Sequence, residues 1–217
     1  MTLASAGPSD SGGAADPDLA LLRQARTGDF TAFEMLVNRF QPRVYGLARR
    51  ILANRHDAED VTQQTFLSLI ENLTQFREES SVAAWIFRIA TNHALKLLRK
   101  RQGTTLVGTL SDEEESYRDV PHPEFIAPWR DDPSRLAQQA EIQELLERAI
   151  GELDEKHRLV FILRDIERLS VRETAEILGL TETNTKVRLL RARMKLRERL
   201  TRILGNPEER VYPQHDH

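Results

Sequence analysis

The chain has 217 residues, no cysteine, and a formal net charge of −3 from 31 Lys and Arg against 34 Asp and Glu. That length suits one ordinary domain or two small ones. The lack of cysteine excludes disulfides, thiolate zinc sites and cysteine nucleophiles, and no apolar run approaches the roughly 20 residues of a membrane span. At 40% hydrophobic and 30% charged residues the composition is that of a soluble globular protein. Segment 1–17 is Ala, Gly, Ser, Pro and Asp without a basic start or apolar centre, so it reads as a disordered tail and not a secretory signal. A cytoplasmic location and no membrane insertion are the expectation.

From residue 18 the pattern is helical. Ala20, Leu21 and Ala25 before Gly28-Asp29 predict a short helix stopped by glycine. Asp29 caps a helix with Phe33, Leu36, Val37 and Phe40 at helical spacing, and Pro42 marks a start or kink before Val44, Leu47, Ala48, Ile51 and Leu52. Asn54 to His56 reads as a turn, with Asp57 capping a helix through Ala58, Val61, Thr65, Leu69 and Leu73. A polar loop, Phe76 to Ser81, precedes a helix capped by Ser81. That helix passes Trp85, Ile86, Ile89, Ala90 and Ala94 and ends in Arg99-Lys100-Arg101, cations that suit a helix C-terminus. Trp85 falls on the apolar side, which favours core packing over stacking on a base.

Residues 103–133 hold four prolines, a run of acids such as Asp112, Glu113, Glu114 and Glu115, and no sustained period. This is a linker and a domain boundary. A second helical block, 134–204, has a stripe Leu136, Ala140, Leu145, Leu146, Ala149, Leu153. A dense apolar segment follows Asp154, from Leu159 to Leu163. Ser170 with Glu173 forms a capping box, Gly179 makes a turn, and Thr181 caps a last helix to about Leu204, with 205–217 a tail. The fold class is therefore all-α: two small helical domains, 18–102 and 134–204, joined by a flexible acidic linker.

Ser170 to Leu200, SVRETAEILGLTETNTKVRLLRARMKLRERL, reads as a helix-turn-helix whose second helix enters the major groove. Leu189, Ala192, Leu196, Leu200 and Ile203 should face the core. Thr183, Asn184, Val187, Arg191 and Lys195 then face outward, flanked by Lys186, Leu190 and Arg193. Arg191 can donate a bidentate pair to guanine and Asn184 can read adenine; Lys195, Arg197, Arg199 and Arg202 suit phosphates. Arg188 belongs to the same set, although it and Arg193 also fit a salt bridge between the two helices, with Glu173 as a partner. The plainer alternative is a solvated basic helix.

The stretch DAEDVTQQTFLSLIENLTQFREESSVAAWIFRIATNHALKLLRKR, Asp57 to Arg101, closely resembles the second conserved region of bacterial sigma factors of the sigma-70 superfamily. Of its branches it is most similar to the extracytoplasmic-function (ECF) type. The second block resembles the fourth conserved region, including its RLLRAR core. The resemblance implies a sigma region 2 bundle that binds core RNA polymerase and the −10 element, and a sigma region 4 helix-turn-helix that binds the −35 element. It further implies that the first block binds the clamp coiled coil of the polymerase largest subunit through Asp57, Asp60, Gln63, Gln64, Phe66 and Leu67. The loop 76–82 would capture an extruded base of the −10 element. Arg77, Ser80, Ser81 and Asn92 would supply polar groups there, and Lys96, Arg99 and Lys100 would lie along the strand. The second block would dock on the flap of the second-largest subunit and read the −35 duplex through Thr183, Asn184, Lys186, Val187, Arg188, Leu190, Arg191 and Lys195. Partners implied are core polymerase, promoter DNA and an anti-sigma factor, in a stress or envelope response, with the free chain a monomer. Two departures stand out: Glu78-Glu79 replaces the common Gly-Asp of the capture loop, and Asn184-Thr185-Lys186-Val187 replaces the frequent Thr-Val-Lys-Ser.

Two other classes are weaker. As an enzyme, the chain offers Asp57, Glu59 and Asp60 or His215-Asp216-His217, without a second cluster to complete a metal site and without a phosphate loop; no metal and no cofactor are expected. An ordinary regulator would bind a palindromic duplex alone, whereas the sigma reading requires polymerase for specific binding.

Overall fold

The computed structural model describes residues 16–102 and 139–204, with no side-chain description at Gln102 and at 139–142. Helix α1 (Pro17–Arg26) begins with Asp16 Oδ1 accepting from the Asp18 N–H and Pro17 in the first turn, where a missing N–H costs nothing. It therefore starts inside the segment read as a tail; residues 1–15 lie outside the described residues. Gly28, at φ +96°, reverses the chain, and Asp29 Oδ1 accepts from the Ala32 N–H to open α2 (Phe30–Leu52).

α2 runs unbroken for 23 residues with Pro42 inside it, where the sequence suggested a start or kink. Proline removes one helical hydrogen bond. Burial of Leu36, Phe40, Val44, Leu47, Ala48 and Ile51 along one face, each at most 2% exposed, offsets that loss. The next start also differs from expectation. Asn54, in an extended conformation, accepts from the Asp57 N–H and caps α3 (Arg55–Glu71), so Arg55 and His56 are already helical and Asp57 is not the cap. A short 3-10 turn (Leu73–Gln75) leads to the loop before α4 (Val82–Gln102), which Ser81 does cap, its Oγ accepting from the Ala84 N–H.

The second group holds α5 (Gln139–Gly151), α6 (Glu155–Phe161), a wide π-type turn over Ile162–Ile166, α7 (Val171–Leu178) and α8 (Glu182–Leu204). The Ser170–Glu173 capping box forms as predicted, Gly179 sits at φ +67°, and Thr181 Oγ1 accepts from the Asn184 N–H at the head of α8. Leu136 and the segment read as a linker lie outside the described residues. Among the described residues all regular structure is helical.

α2 packs on α1, α3 and α4, while α8 packs on α5, α6 and α7. The two groups also touch: α7 rests on α4, and α2 meets α5 and α6, so the apolar residues of both form one contiguous core. Phe40 meets Phe87 edge-on at 6.2 Å, and the Arg43 guanidinium lies over both rings at 5.2 and 4.9 Å. Arg43 then reaches across to Glu167, with Nε 3.0 Å from its carboxylate and Nη2 3.2 Å from its carbonyl. Burial pushes the Glu167 carboxyl up, with Arg43 pulling the other way. Three more bridges cross the same boundary: Arg50 to Glu147, Ser81 to Glu173 and Arg88 to Glu176.

Candidate nucleic-acid interface

The face of α2 and α3 turned away from the second group carries an apolar groove of about 670 Å³, lined by Phe33, Val37, Pro42, Tyr45, Phe66 and Leu67 among others. Leu67 and Ile70 are 46% and 45% exposed, an unusual cost for residues of that size unless a partner covers them. Of the residues expected to meet polymerase, Gln63, Phe66 and Leu67 line this groove. Asp60 and Gln64 are exposed on α3, with Asp60 3.9 Å from His56. Asp57 departs from the expectation. It is only 8% exposed and pairs with Arg101 at the end of α4, because the first turn of α3 points its N-terminal carboxylate at that cationic terminus. Sequence reading missed the α2 half of the groove. Phe33 and Val37 share a helical stripe with the buried Leu36 and Phe40, and periodicity alone cannot separate a core face from a slightly rotated docking face.

The loop between the 3-10 turn and α4 encloses a second, polar cavity of about 390 Å³, lined by Gln75, Phe76, Arg77, Glu79, Ser80, Trp85 and Arg88 on the first group's side. Phe76 is buried and lies 5.0 Å from the half-buried Trp85, ring to ring. Trp85, read from its spacing as a core residue, packs on the core cluster and also walls the cavity. Arg77 and Ser80 are brought together here. Beyond them Asn92, Lys96 and Lys100 recur every four residues on the exposed side of α4 and form a ridge. Arg99 is half-buried on the same helix; burial raises the nearby Glu155 carboxyl, against the charges of Arg158 and, less, of Arg99. His93 lies one turn from Lys96, bonded to Ser68 Oγ at 3.0 Å; burial and the Lys96 charge hold its ring below the ordinary histidine value.

Two residues of α7, Arg172 and Glu176, close the far side of this cavity. Glu176 takes a hydrogen bond from Arg88 at 3.1 Å, and Glu173 takes one from Ser81 Oγ at 2.5 Å. Burial pushes the Glu173 carboxyl up, but the hydrogen bonds from Ser81 and Ser170 outweigh it and hold the group below its ordinary range. Ser81, expected to face DNA, is therefore engaged by the helix-turn-helix.

On α8, Thr183, Lys186 and Lys195 are exposed, Leu190 is 38% exposed and Arg191 is half-buried. Asn184, Val187 and Arg188 are not presented to solvent as expected: they are 4%, 0% and 0% exposed. Arg188 stands three residues after Thr185 and four before Ala192, both fully buried, so its stem borders the core stripe, and Asn184 lies one turn before it. The buried arc of α8 is wider than the leucine spacing indicated. The other cations are largely paired: Arg193 with Asp165, Lys195 with Asp154, and Arg199 with Glu152. Arg193 thus forms a bridge, as one reading allowed, though to Asp165 and not to Glu173. Lys195, first, and then His157 hold the Asp154 carboxyl below its ordinary range against partial burial.

Comparison with known proteins agrees with this geometry. Residues 36–104 match the family model Sigma-70 region 2, and residues 143–196 match Sigma-70, region 4. The chain is 30% identical over 179 residues to the ECF RNA polymerase sigma-E factor of Escherichia coli, covering 81% of this chain and 90% of that one. It is 29% identical over 184 residues to the ECF sigma factor SigW of Bacillus subtilis, covering 82% and 94%. Among solved structures, CnrH in complex with the cytosolic domain of CnrY matches at TM-score 0.58 with 28% identity, over 86% of this chain and 99% of that one. RpoE of Bartonella quintana, solved with the anti-sigma factor NepR, shares the fold at TM-score 0.56 and 24% identity, over 78% and 96%. With both sigma regions matched in order, and full-length relatives at this level of identity, the chain belongs to the extracytoplasmic-function sigma factors of the sigma-70 family, alternative sigma factors that direct RNA polymerase to promoters.

Proposed function

We propose that the α2–α3 groove receives the polymerase clamp coiled coil, the Phe76–Trp85 cavity captures an unpaired −10 base, and α8 reads the −35 duplex. The observation that carries this reading is the cavity at the head of α4. An aromatic wall, Arg77 and Ser80 stand at the start of a helix whose exposed side is the ridge Asn92, Lys96 and Lys100. Extruded bases are held by stacking and by polar groups at a cationic rim, and the exposed Lys96 and Lys100 supply cations for the strand beyond it. Gln63, Phe66 and Leu67 combine amide donors with apolar area, which suits a coiled-coil partner better than a small ligand.

In this reading residues 18–102 and 134–204 are the two working units, tethered by 103–133, and two weak DNA contacts reinforce each other through effective concentration. The chain is a cytoplasmic initiation factor, without catalysis of its own, that is a monomer when free. One similar structure is CnrH with the cytosolic domain of CnrY and another is the sigma factor RpoE with the anti-sigma factor NepR, so control by an anti-sigma protein in a stress response is part of the proposal. Glu173 and Glu176 occupy Ser81 and Arg88, so α7 must leave α4 before a strand can lie along the loop.

The test is run-off transcription with core polymerase on a genomic fragment library. Discrete new starts that share −35 and −10 elements are the expected result. No new starts, with the protein alone shifting duplex DNA, would leave α8 a reader and remove the polymerase assignment.

A further inference from the structure

Glu78 lies in the capture loop at φ +59°, a left-handed conformation that strains a side-chain-bearing residue and that glycine adopts freely. Something must hold it there. Arg23 of α1 grips its carboxylate with two prongs, Nε at 3.0 Å and Nη2 at 2.5 Å, and Arg26, one turn on, stands 3.8 Å away. The two-pronged fork fixes direction as well as distance. Both arginines belong to the last turn of α1, which packs on α4 and on the 3-10 turn before the loop, so the anchor is tied to the same core as the cavity floor. The bonds from Arg23 also hold the Glu78 carboxyl below its ordinary value of 4.5, so the pair stays charged at neutral pH.

We propose that Arg23, outside the cavity, is a positioning residue for base capture: through Glu78, and with Arg26 in support, it sets the loop that carries Arg77 and Ser80 over Phe76 and Trp85. This rests on the assignment of that cavity to the −10 base. The neighbours of Glu78 explain why the clamp is needed. Arg77 and Glu79 flank it and both line the cavity, so a rotation of the backbone at 78 would swing one of them out and change the sign of charge at the rim. An arginine clamp on a strained glutamate does here what a glycine does by having no side chain.

The experiment uses holoenzyme assembled from core polymerase and the full chain, on a promoter mapped by the run-off screen. 2-Aminopurine placed in the −10 non-template strand reports melting. Arg23→Ala is expected to slow melting about fivefold, the scale of one well-formed exposed ion pair, with core binding unchanged and the thermal midpoint of the free protein lowered by no more than a few degrees. Adding Glu78→Gly to Arg23→Ala is expected to restore the rate, because glycine adopts the left-handed turn without an anchor. Arg23→Lys restores it only in part, since an ammonium cannot grip with two prongs. Arg77→Ala is the control for the cavity itself. Wild-type melting in Arg23→Ala while Arg77→Ala is slow would overturn the clamp and leave the cavity assignment standing. Normal melting in both would overturn the two together. A slow Arg23→Ala that Glu78→Gly fails to rescue would mean that Arg23 touches DNA directly, and would overturn the positioning role.

Discussion

α4 and α8 are both long helices rich in Lys and Arg, and both pair part of their charge: Arg88 and Arg101 of α4 with Glu176 and Asp57, and Arg193, Lys195 and Arg199 of α8 with acids of the preceding segments. They differ at the middle of the helix. On α4, Asn92, Lys96 and Lys100 stand in solvent, and the face behind them is core: Phe87, Ala90 and Ala94 are all at 0% exposure. On α8 several cations are committed. Arg188 is fully buried, and Arg193, Lys195 and Arg199 each pair with an acid of the preceding helices. In the proposed reading, a strand that has displaced α7 from the head of α4 meets Lys96 and Lys100 in solvent further along the helix. A duplex approaching α8 must compete with carboxylates already in place, so α8 offers less charge than its composition promises and relies more on the side chains that reach base edges.

The largest effects test the support behind each helix. Phe87→Ala should destabilise the protein by about 3–5 kcal/mol in denaturant unfolding, since it opens a cavity under the α4 ridge and removes the platform of Arg43. A loss below about 1 kcal/mol would mean that the ridge does not rest on this core. Next comes the contrast within α8. Arg188→Ala should cost about 2 kcal/mol of stability through lost packing of its buried stem. Arg191→Ala should instead cost about 1–3 kcal/mol of promoter discrimination in competition binding, with little change in stability. If the two exchange roles, the buried arc of α8 faces DNA after all. The smallest effect sharpens the comparison: Asp165→Asn should lower stability by less than about 1 kcal/mol, because its pair with Arg193 is surface-exposed. The same change should raise holoenzyme affinity for duplex DNA in a filter-binding titration, because it releases a cation. Unchanged affinity would show that Arg193 does not contribute to DNA binding.

Much of this was legible in the chain itself. The caps at Asp29, Ser81, Ser170 and Thr181 each form as their residue types dictate, and Gly28 and Gly179 turn the chain where glycine permits positive φ. Asn54 was passed over because two acids follow it closely and compete as caps in the bare sequence; the left-handed Ala53 before it decides the register. Pro42 was misplaced because its local penalty is visible and the burial that offsets it is not. The same asymmetry governs the site. Arg77, Ser80, Lys96 and Lys100 were named from the resemblance of the stretch 57–101, and the structure sets the first two at the cavity and the last two on the exposed side of α4. Arg23, Arg43 and Glu167 were not, because each acts through a partner distant in sequence: Arg23 through Glu78, and Arg43 through Glu167. No period or motif records such a pairing.

Among the described residues, the four bridges named between the helical groups run one way. The first group supplies arginine or serine donors, and the second supplies the carboxylates Glu147, Glu167, Glu173 and Glu176. Glu147, Glu167 and Glu176, which face arginines, are in effect counterions fastened to the chain. A nucleic acid that binds a cationic surface usually gains from the dispersal of mobile ions into bulk solvent, and this makes such binding steeply salt-dependent. Counterions that belong to the same polypeptide cannot disperse. When a strand displaces them, they move only as far as the tether allows, and the salt dependence of promoter binding will count fewer phosphates than the arginines and lysines facing the DNA.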